Sequence, residues 1–428
     1  VNLWRIPLQL SLAGLGLFAV TMVPDVLDAK GIIRLPWWVT MGGIDDARAI
    51  LGAMLSCVST VLALIFSVAL LVLSMVATLF GPRLLYRFLQ DWVTQFTIGL
   101  FMATFVYLCL VFLVTHQDAH TTFVPQVSLI TGWLLVVASF GFLVYYSHRI
   151  ASSIQNPDLI ARIVDDMAPA VTAAQTGVNP GRASPSPADL EAQVRDGAPV
   201  LASRSGYVQE VDQGGLVRAA TRAEATIHVS RRPGQFVLVG EPIGVVYPGD
   251  RRSAVEPALR RSVTLGRHRT LRQDFEFGVA QIVEIAIRAL SPAVNDTFTG
   301  VACVDWLGDA LLVVAAAPRF DGCSYDEAGA LRLRLPPQRL DRLVRLAFDQ
   351  VRQAAADNPA VLIRILDTIG RIAPSMADEQ PRKALRAEAD AVYEVGVKEI
   401  AASLDRSDLA DAWRRAGSVL DGVQAEEG

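Results

Sequence analysis

The chain has 428 residues, of which 52% are hydrophobic and 19% charged, long enough for two or three domains, and its mean hydropathy of +0.36 exceeds that of an ordinary water-soluble protein. A formal net charge of −4 argues against a nucleic-acid-binding role, because phosphate recognition draws on a basic excess. The cysteines Cys57, Cys109, Cys303 and Cys323 show no CxxC spacing, so nothing points to a disulfide framework.

Hydropathy divides the chain. From Val1 to Arg149 the only Lys or Arg residues are Arg5, Lys30, Arg34, Arg48, Arg83, Arg87 and Arg149, whereas the second half has the charge content of a soluble protein. Four stretches, 6–23, 51–80, 93–115 and 123–147, reach the roughly 18 apolar residues that suggest a membrane span. The first resembles a signal peptide but lacks a small-residue cleavage site and runs into Pro24 and Asp25, so it is expected to be retained. The second, as one helix, is about 45 Å long, longer than a bilayer core of roughly 30 Å, and is expected to tilt or project. Arg83 and Arg87 follow the second span and Arg149 ends the fourth, while the 116–122 loop has no Lys or Arg. By the positive-inside rule both termini are cytoplasmic. The first loop is charge-balanced, and its Trp37-Trp38 pair reads as an interfacial anchor.

The second span carries hydroxyls in an order that helical geometry makes meaningful. At about 100° per residue, Ser56, Thr60, Ser67, Ser74 and Thr78 fall within an arc of roughly 40°, flanked by Gly52, Ser59 and Ala63. Small and hydroxyl-bearing residues let membrane helices approach closely and bond across an interface; the same seam could line a permeation path in a symmetric oligomer. Both readings turn it away from lipid. Thr97 with Thr104, and Ser128 with Gly132 and Ser139, form smaller polar sets on the third and fourth spans. No span has a charge in its middle, whereas a proton-coupled pump usually keeps an intramembrane carboxylate, and this favours passive conduction. Gly81-Pro82 should break the second helix and place Arg83, Arg87 and Asp91 at helical spacing, either against lipid phosphates or around an anion-favouring cytoplasmic mouth.

Beyond the spans, 157–176 is helix-like, and "GVNPGRASPSPAD" is a Pro/Gly/Ser linker. "SGYVQEVD" and "GQFVLVGEPIGVVYP" alternate as short strands of a small barrel or sandwich. They also resemble half-motifs of biotinyl-lipoyl-like modules, but no carrier lysine lies between flanking methionines. From Asp274 onward helices are expected over 274–290, 296–317, 337–355, 358–373 and 381 to the end, with "ALRLRLP" as one intervening strand. The expected fold is therefore an α-helical membrane domain of four transmembrane helices followed by a cytoplasmic α+β domain. Its expected divisions are a membrane domain over 1–150, a helix and linker over 151–195, a β-rich module over 196–255 and a mainly helical part over 256–428.

In "RALSPAVNDTFTG", Pro292 ends one helix and Asn295 or Asp296 can cap the next. Glu284 and Arg288 share a helix face, as do Asp305 and Asp309. With Asp274 and Asn295 these residues are candidates for a cytoplasmic polar site, since paired carboxylates can hold a divalent cation or act as acid and base. Arg251, Arg252, Arg260, Arg261, Arg267, His268, Arg269 and Arg272 form a basic run that reads as a solvated or subunit-bridging set, or as a site for anions or anionic lipid headgroups. His116, Asp118 and His120 sit two apart in an outside loop, a spacing that on an extended backbone would let them bind zinc or copper, although such loops are more often simply polar. "GLGLFA" in the first span matches a loose dinucleotide fingerprint but has no preceding strand. There is no P-loop, GxSxG or HExxH.

"ATLFGPRLLYRFLQDWVTQFTIGLFMATFVYLCLV", "SIQ" and "QDFEFGVAQIVEIAIRALSPAVNDTFTGVACVDWLGD" resemble the bacterial predicted-membrane proteins of the 2254 family, a domain of unknown function, over nearly the whole chain. The resemblance implies four spans and a cytoplasmic domain, and it supplies no activity. The residues point to a homo-oligomeric channel or pore-like protein with an assembly or gating domain, and no cofactor. The rival readings are a membrane-anchored sensor or scaffold and, less favoured for want of a catalytic signature, a tethered enzyme.

Overall fold

The computed structural model describes residues 5–33, 43–80, 92–117, 122–154, 158–174, 185–317, 321–337, 339–376 and 378–422. They fall into two compact units, 1–156 and 157–428.

The first unit is built from α1 (Arg5–Ala29), α2 (Ile44–Phe80), α3 (Trp92–Val114) and α4 (Gln126–Ile154), with a short ladder of β1 (His116–Gln117) against β2 (Thr122–Phe123) between α3 and α4. Unbroken apolar sequence forms helices here because a helix satisfies its own backbone without water. Three of these helices, α1, α2 and α4, exceed their apolar stretches. α1 runs through Pro24 to Ala29, so it includes Asp25, and α2 has 37 residues, about 55 Å of helix. α3 is the hub, packing against α1, α2 and α4. Its Val93, Phe101, Tyr107, Leu108 and Val111 form the core with Leu51, Met54, Val58 and Ile65 of α2 and Leu129 of α4. Glycines allow the closest crossing: a Cβ on Gly14 would meet the Ala103 backbone, and one on Gly99 would meet Pro7 and Leu10. The "GLGLFA" glycine thus serves helix packing.

The second unit opens with α5 (Asp158–Ala174) and α6 (Pro187–Asp196), the latter capped by Ser186. Strands β3 (Ala198–Leu201), β4 (Gly206–Val211), β5 (Thr226–Val229), β6 (Phe236–Val237), β7 (Pro242–Tyr247) and β8 (Val263–Gly266) follow, with α7 (Gln213–Arg222) between β4 and β5 and α8 (Arg252–Ser262) before β8. Next come α9 (Phe275–Ala289), α10 (Thr297–Ala315), β9 (Cys323–Tyr325), β10 (Leu331–Arg334), α11 (Leu340–Ala354), α12 (Pro359–Ile372), α13 (Glu379–Glu399) and α14 (Ser403–Leu420). The strands make a five-stranded sheet of order β3-β7-β5-β10-β9 and a three-stranded sheet of order β6-β4-β8. Among the described strands only β5 and β10 pair in parallel.

Both sheets contribute to one core with Leu216 and Ala220 of α7 and Val255 and Leu259 of α8. The β-rich segment is therefore a helix-packed pair of sheets that takes β10 from far along the chain, and the described strands do not close into one barrel. The helix expected from 381 to the end is broken at 400–402. The break lets α14 fold back on α13, where Trp413 stacks on Tyr393 at 4.7 Å and donates to Asp390 at 2.8 Å.

Among the described residues five helices are long and apolar enough to cross a membrane: α1, α2 over Ile44–Leu71, α3, α4 over Gln126–Arg149, and α10. The fifth lies in the second unit, where α10 buries Cys303, Val304, Leu307, Ala310 and Leu311 and packs on α5, α9 and α12.

Candidate functional site

Helix α2 has two opposed faces. Ala47, Leu51, Met54, Val58 and Ile65 are buried, an arc of about 60° turned to the core it shares with α3. Ser56, Thr60, Ser67 and Ser74 are all exposed, on an arc centred about 170–190° away. The side chain of Thr78, and all of Arg83 and Arg87, lie outside the described residues. Thr60 donates to the Ser56 carbonyl at 2.8 Å and Ser59 to the Leu55 carbonyl at 2.7 Å. This return to the carbonyl one turn back is how a hydroxyl stays hydrogen-bonded in an apolar helix.

The hydroxyls of α3 and α4 behave differently. Thr97, Thr104, Ser128 and Ser139 are fully buried, and Thr104 meets Ser139 across the α3–α4 contact at 3.0 Å. Asp25, 3% exposed, accepts from the backbone N–H groups of Val127 and Ser128 at 2.8 and 3.0 Å and from the Ser128 hydroxyl at 2.6 Å. α1 thereby supplies a carboxylate to the open N–H groups that begin α4, where a negative charge is also favoured by the helix dipole. Thr21 and Tyr107 share a hydrogen bond of 2.8 Å beside it, and the Tyr107 hydroxyl donates to the Ser128 carbonyl at 3.0 Å. Asp25 lies beyond the 6–23 stretch, near the end of α1 and not in the middle of the helix.

In the second unit the candidate residues are spread along α9 and α10. Asp274 caps α9, accepting from the Phe277 N–H at 3.1 Å and from Arg269 at 2.8 and 2.9 Å. Burial pushes its carboxyl above the usual range, against the lowering by Arg269. Glu284 and Arg288 pair at 3.3 Å along α9. Asp296, at the other end of α9, caps α10 through the Thr299 N–H at 3.0 Å and its hydroxyl at 2.6 Å; those bonds hold its carboxyl below the usual range. Asn295 does not cap: it takes the left-handed turn conformation, φ 50°. Asp305 lies 3.7 Å from both Arg364 and Arg371 of α12, and Asp309 is exposed.

The 15 residues of α9 put about 22 Å between Asp274 and Asp296, too far for them to act on one small ligand. Among the described residues no group of three or more His, Cys, Asp or Glu side chains is placed to hold a metal. Of the outside-loop set, Asp118 and His120 lie outside the described residues. Cys303 is pushed up to about 12 by burial and then by Asp296, which makes it an inert thiol.

The basic run is divided. Arg252 and Arg260 pair with Glu256 at 3.1 and 2.7 Å, Arg269 with Asp274, and Arg272 with Glu210 at 3.1 Å. Arg261 instead faces Arg218 and Arg222 across a cleft. Sequence reasoning missed those two because they lie on α7, a helix hidden behind Gly214-Gly215; the signal available was Asp212, which caps it by accepting from the Gly215 N–H at 2.9 Å.

An uncharacterized protein of Mycobacterium bovis and one of Mycobacterium tuberculosis are each 29% identical to this chain over 432 residues, covering 98% of it and 80% of their own length. No solved structure matches the chain. Residues 1–371 match the family described as "Predicted membrane protein (DUF2254)", and the chain, with its run of apolar helices, belongs to that family.

Proposed function

We propose that the chain is a four-span protein of the bacterial inner membrane that assembles into a homo-oligomer through α2 and conducts a solute along the assembly axis, with the second unit cytoplasmic and assisting assembly or gating. The observation that carries this reading is the position of the hydroxyl seam. α2 uses one face to pack within the chain and presents small and hydroxyl-bearing residues on the opposite one, the composition that membrane helices use for close association and that pores use to line a path. α10 is read as a core helix of the second unit, since it already packs on α5, α9 and α12.

Arg83 and Arg87, which follow α2 in the sequence, would be multiplied around the axis and enrich anions at its cytoplasmic mouth. The experiment is to reconstitute the purified chain, determine its subunit number by native mass, and record bilayer currents under a chloride gradient. A single oligomeric state with anion-selective current, weakened by Arg83→Gln with Arg87→Gln and more so at low salt, is expected. A monomer, or a well-folded oligomer that passes no current, overturns the channel and leaves the scaffold.

A further inference from the structure

We propose that the cleft between α7 and α8 is a binding site for a phosphate-bearing ligand. Arg218 and Arg222, one turn apart on α7, and Arg261 at the end of α8 line a cavity of about 290 Å³ together with Asp212, Gly215 and Ser262. None of the three arginines has a carboxylate within ion-pair distance among the described residues, whereas their neighbours Arg252, Arg260, Arg269 and Arg272 each have one. Asp212, the one acid lining the cleft, accepts from the Gly215 N–H of α7. The lining therefore carries an uncompensated positive charge in a concave place, where the field on an anion is strongest.

Arg261 also lines an adjoining cavity of about 240 Å³ with Arg204 and Arg260. Arg204 is already spent on the Leu265 carbonyl and Arg260 on Glu256, so the first cleft holds the free donors. Guanidinium groups present paired N–H donors that match phosphate oxygens, and three of them around one cavity suit a group with two or more negative charges better than a carboxylate. The surrounding backbone is firm: Leu216 and Ala220 of α7 and Leu259 of α8 are buried in the core of both sheets, so the arginines project from a rigid base. Two sources share this chemistry, a soluble phosphate compound and the headgroup of an anionic phospholipid. The inference does not rest on the channel reading.

The test uses the full chain in phosphatidylcholine nanodiscs, with inorganic pyrophosphate as soluble probe and nanodiscs containing phosphatidylglycerol as lipid probe. Saturable binding of pyrophosphate, weakened about tenfold by Arg261→Gln and further by Arg218→Gln with Arg222→Gln but unchanged by Arg272→Gln, supports the site and a soluble ligand. A thermal shift caused only by phosphatidylglycerol and lost in the same variants supports the site and a headgroup. Absence of both effects, or effects equal in wild type and the cleft variants, overturns the proposal. Native mass and thermal unfolding of each variant without probe, compared with wild type, distinguish loss of binding from loss of fold, and failure here would leave the role of α2 unaffected.

Discussion

Polar groups in this chain follow two regimes. Asp25, Thr104 and Ser139 in the first unit, like Arg352 and Glu388 in the second, find their partners inside the chain. Ser56, Thr60, Ser67 and Ser74 stand on the exposed face of α2, as apolar-helix residues whose position nothing within one chain requires. The first regime stabilises the fold. The second has meaning only in terms of what lies beyond the chain, and the difference separates residues whose loss should unfold the protein from residues whose loss should leave it folded but altered in assembly.

The largest expected effect is at Asp25. Replacing it with Ala strands two backbone N–H groups in a buried place and leaves the Ser128 hydroxyl only its longer bond to Thr21 at 3.2 Å; at roughly 1–3 kcal/mol for each unsatisfied group, thermal unfolding in detergent should show a loss of about 4 kcal/mol. A change under about 1 kcal/mol would remove Asp25 from the inward set.

Next is Glu388 on α13, 4% exposed and 2.8 Å from Arg352 of α11. Burial, helped by Asp349 and opposed by Arg352, pushes its carboxyl from 4.5 up to about 7. The folded chain thus holds this proton more tightly than the unfolded chain does, so the contribution of Glu388 to stability is full below about pH 4.5 and is lost as pH rises through about 7. Its loss should be up to about 3 kcal/mol. Glu388→Gln should flatten that part of the pH–stability curve, and an unchanged slope would contradict the burial account. A smaller effect is expected at Asp296, where Ala removes the α10 cap at about 1 kcal/mol; Asn295→Ala, which removes no cap bond, should act only through its left-handed backbone. Equal losses at the two positions would show that the turn matters more than the cap.

The contrast also marks what the amino-acid order can reveal. The long apolar helices of the first unit were readable from their uninterrupted apolar runs, and the hydroxyl arc because a helix repeats at a fixed angle. That the arc faces away from α3 depends on packing that no local pattern encodes. The role of Asp25 depends on α4 lying beside the end of α1, which no local pattern encodes, and α7 was hidden by two glycines with poor helix propensity that tertiary packing of Leu216 and Ala220 overrides. The corner at 291–296 was readable because Pro and Asp carry their own turn and cap chemistry, but the two ends of α9 looked like one polar cluster until its length was counted. The break at 400–402 has no Pro or Gly to announce it.

The smallest effect on single-chain stability, and the most informative, belongs to the seam. Leu at Ser67 should leave the fold intact and disturb assembly, while Leu at Val68, exposed on another side of α2, should be tolerated. The direct test places one nitroxide label at Ser67→Cys or Val68→Cys, in a chain whose four native cysteines are replaced by Ser, and compares collision with oxygen, which concentrates in lipid, in nanodiscs. The account predicts that the label at 67 is shielded from oxygen and the label at 68 is not; equal, high oxygen collision at both positions would place the hydroxyl seam in lipid and contradict it.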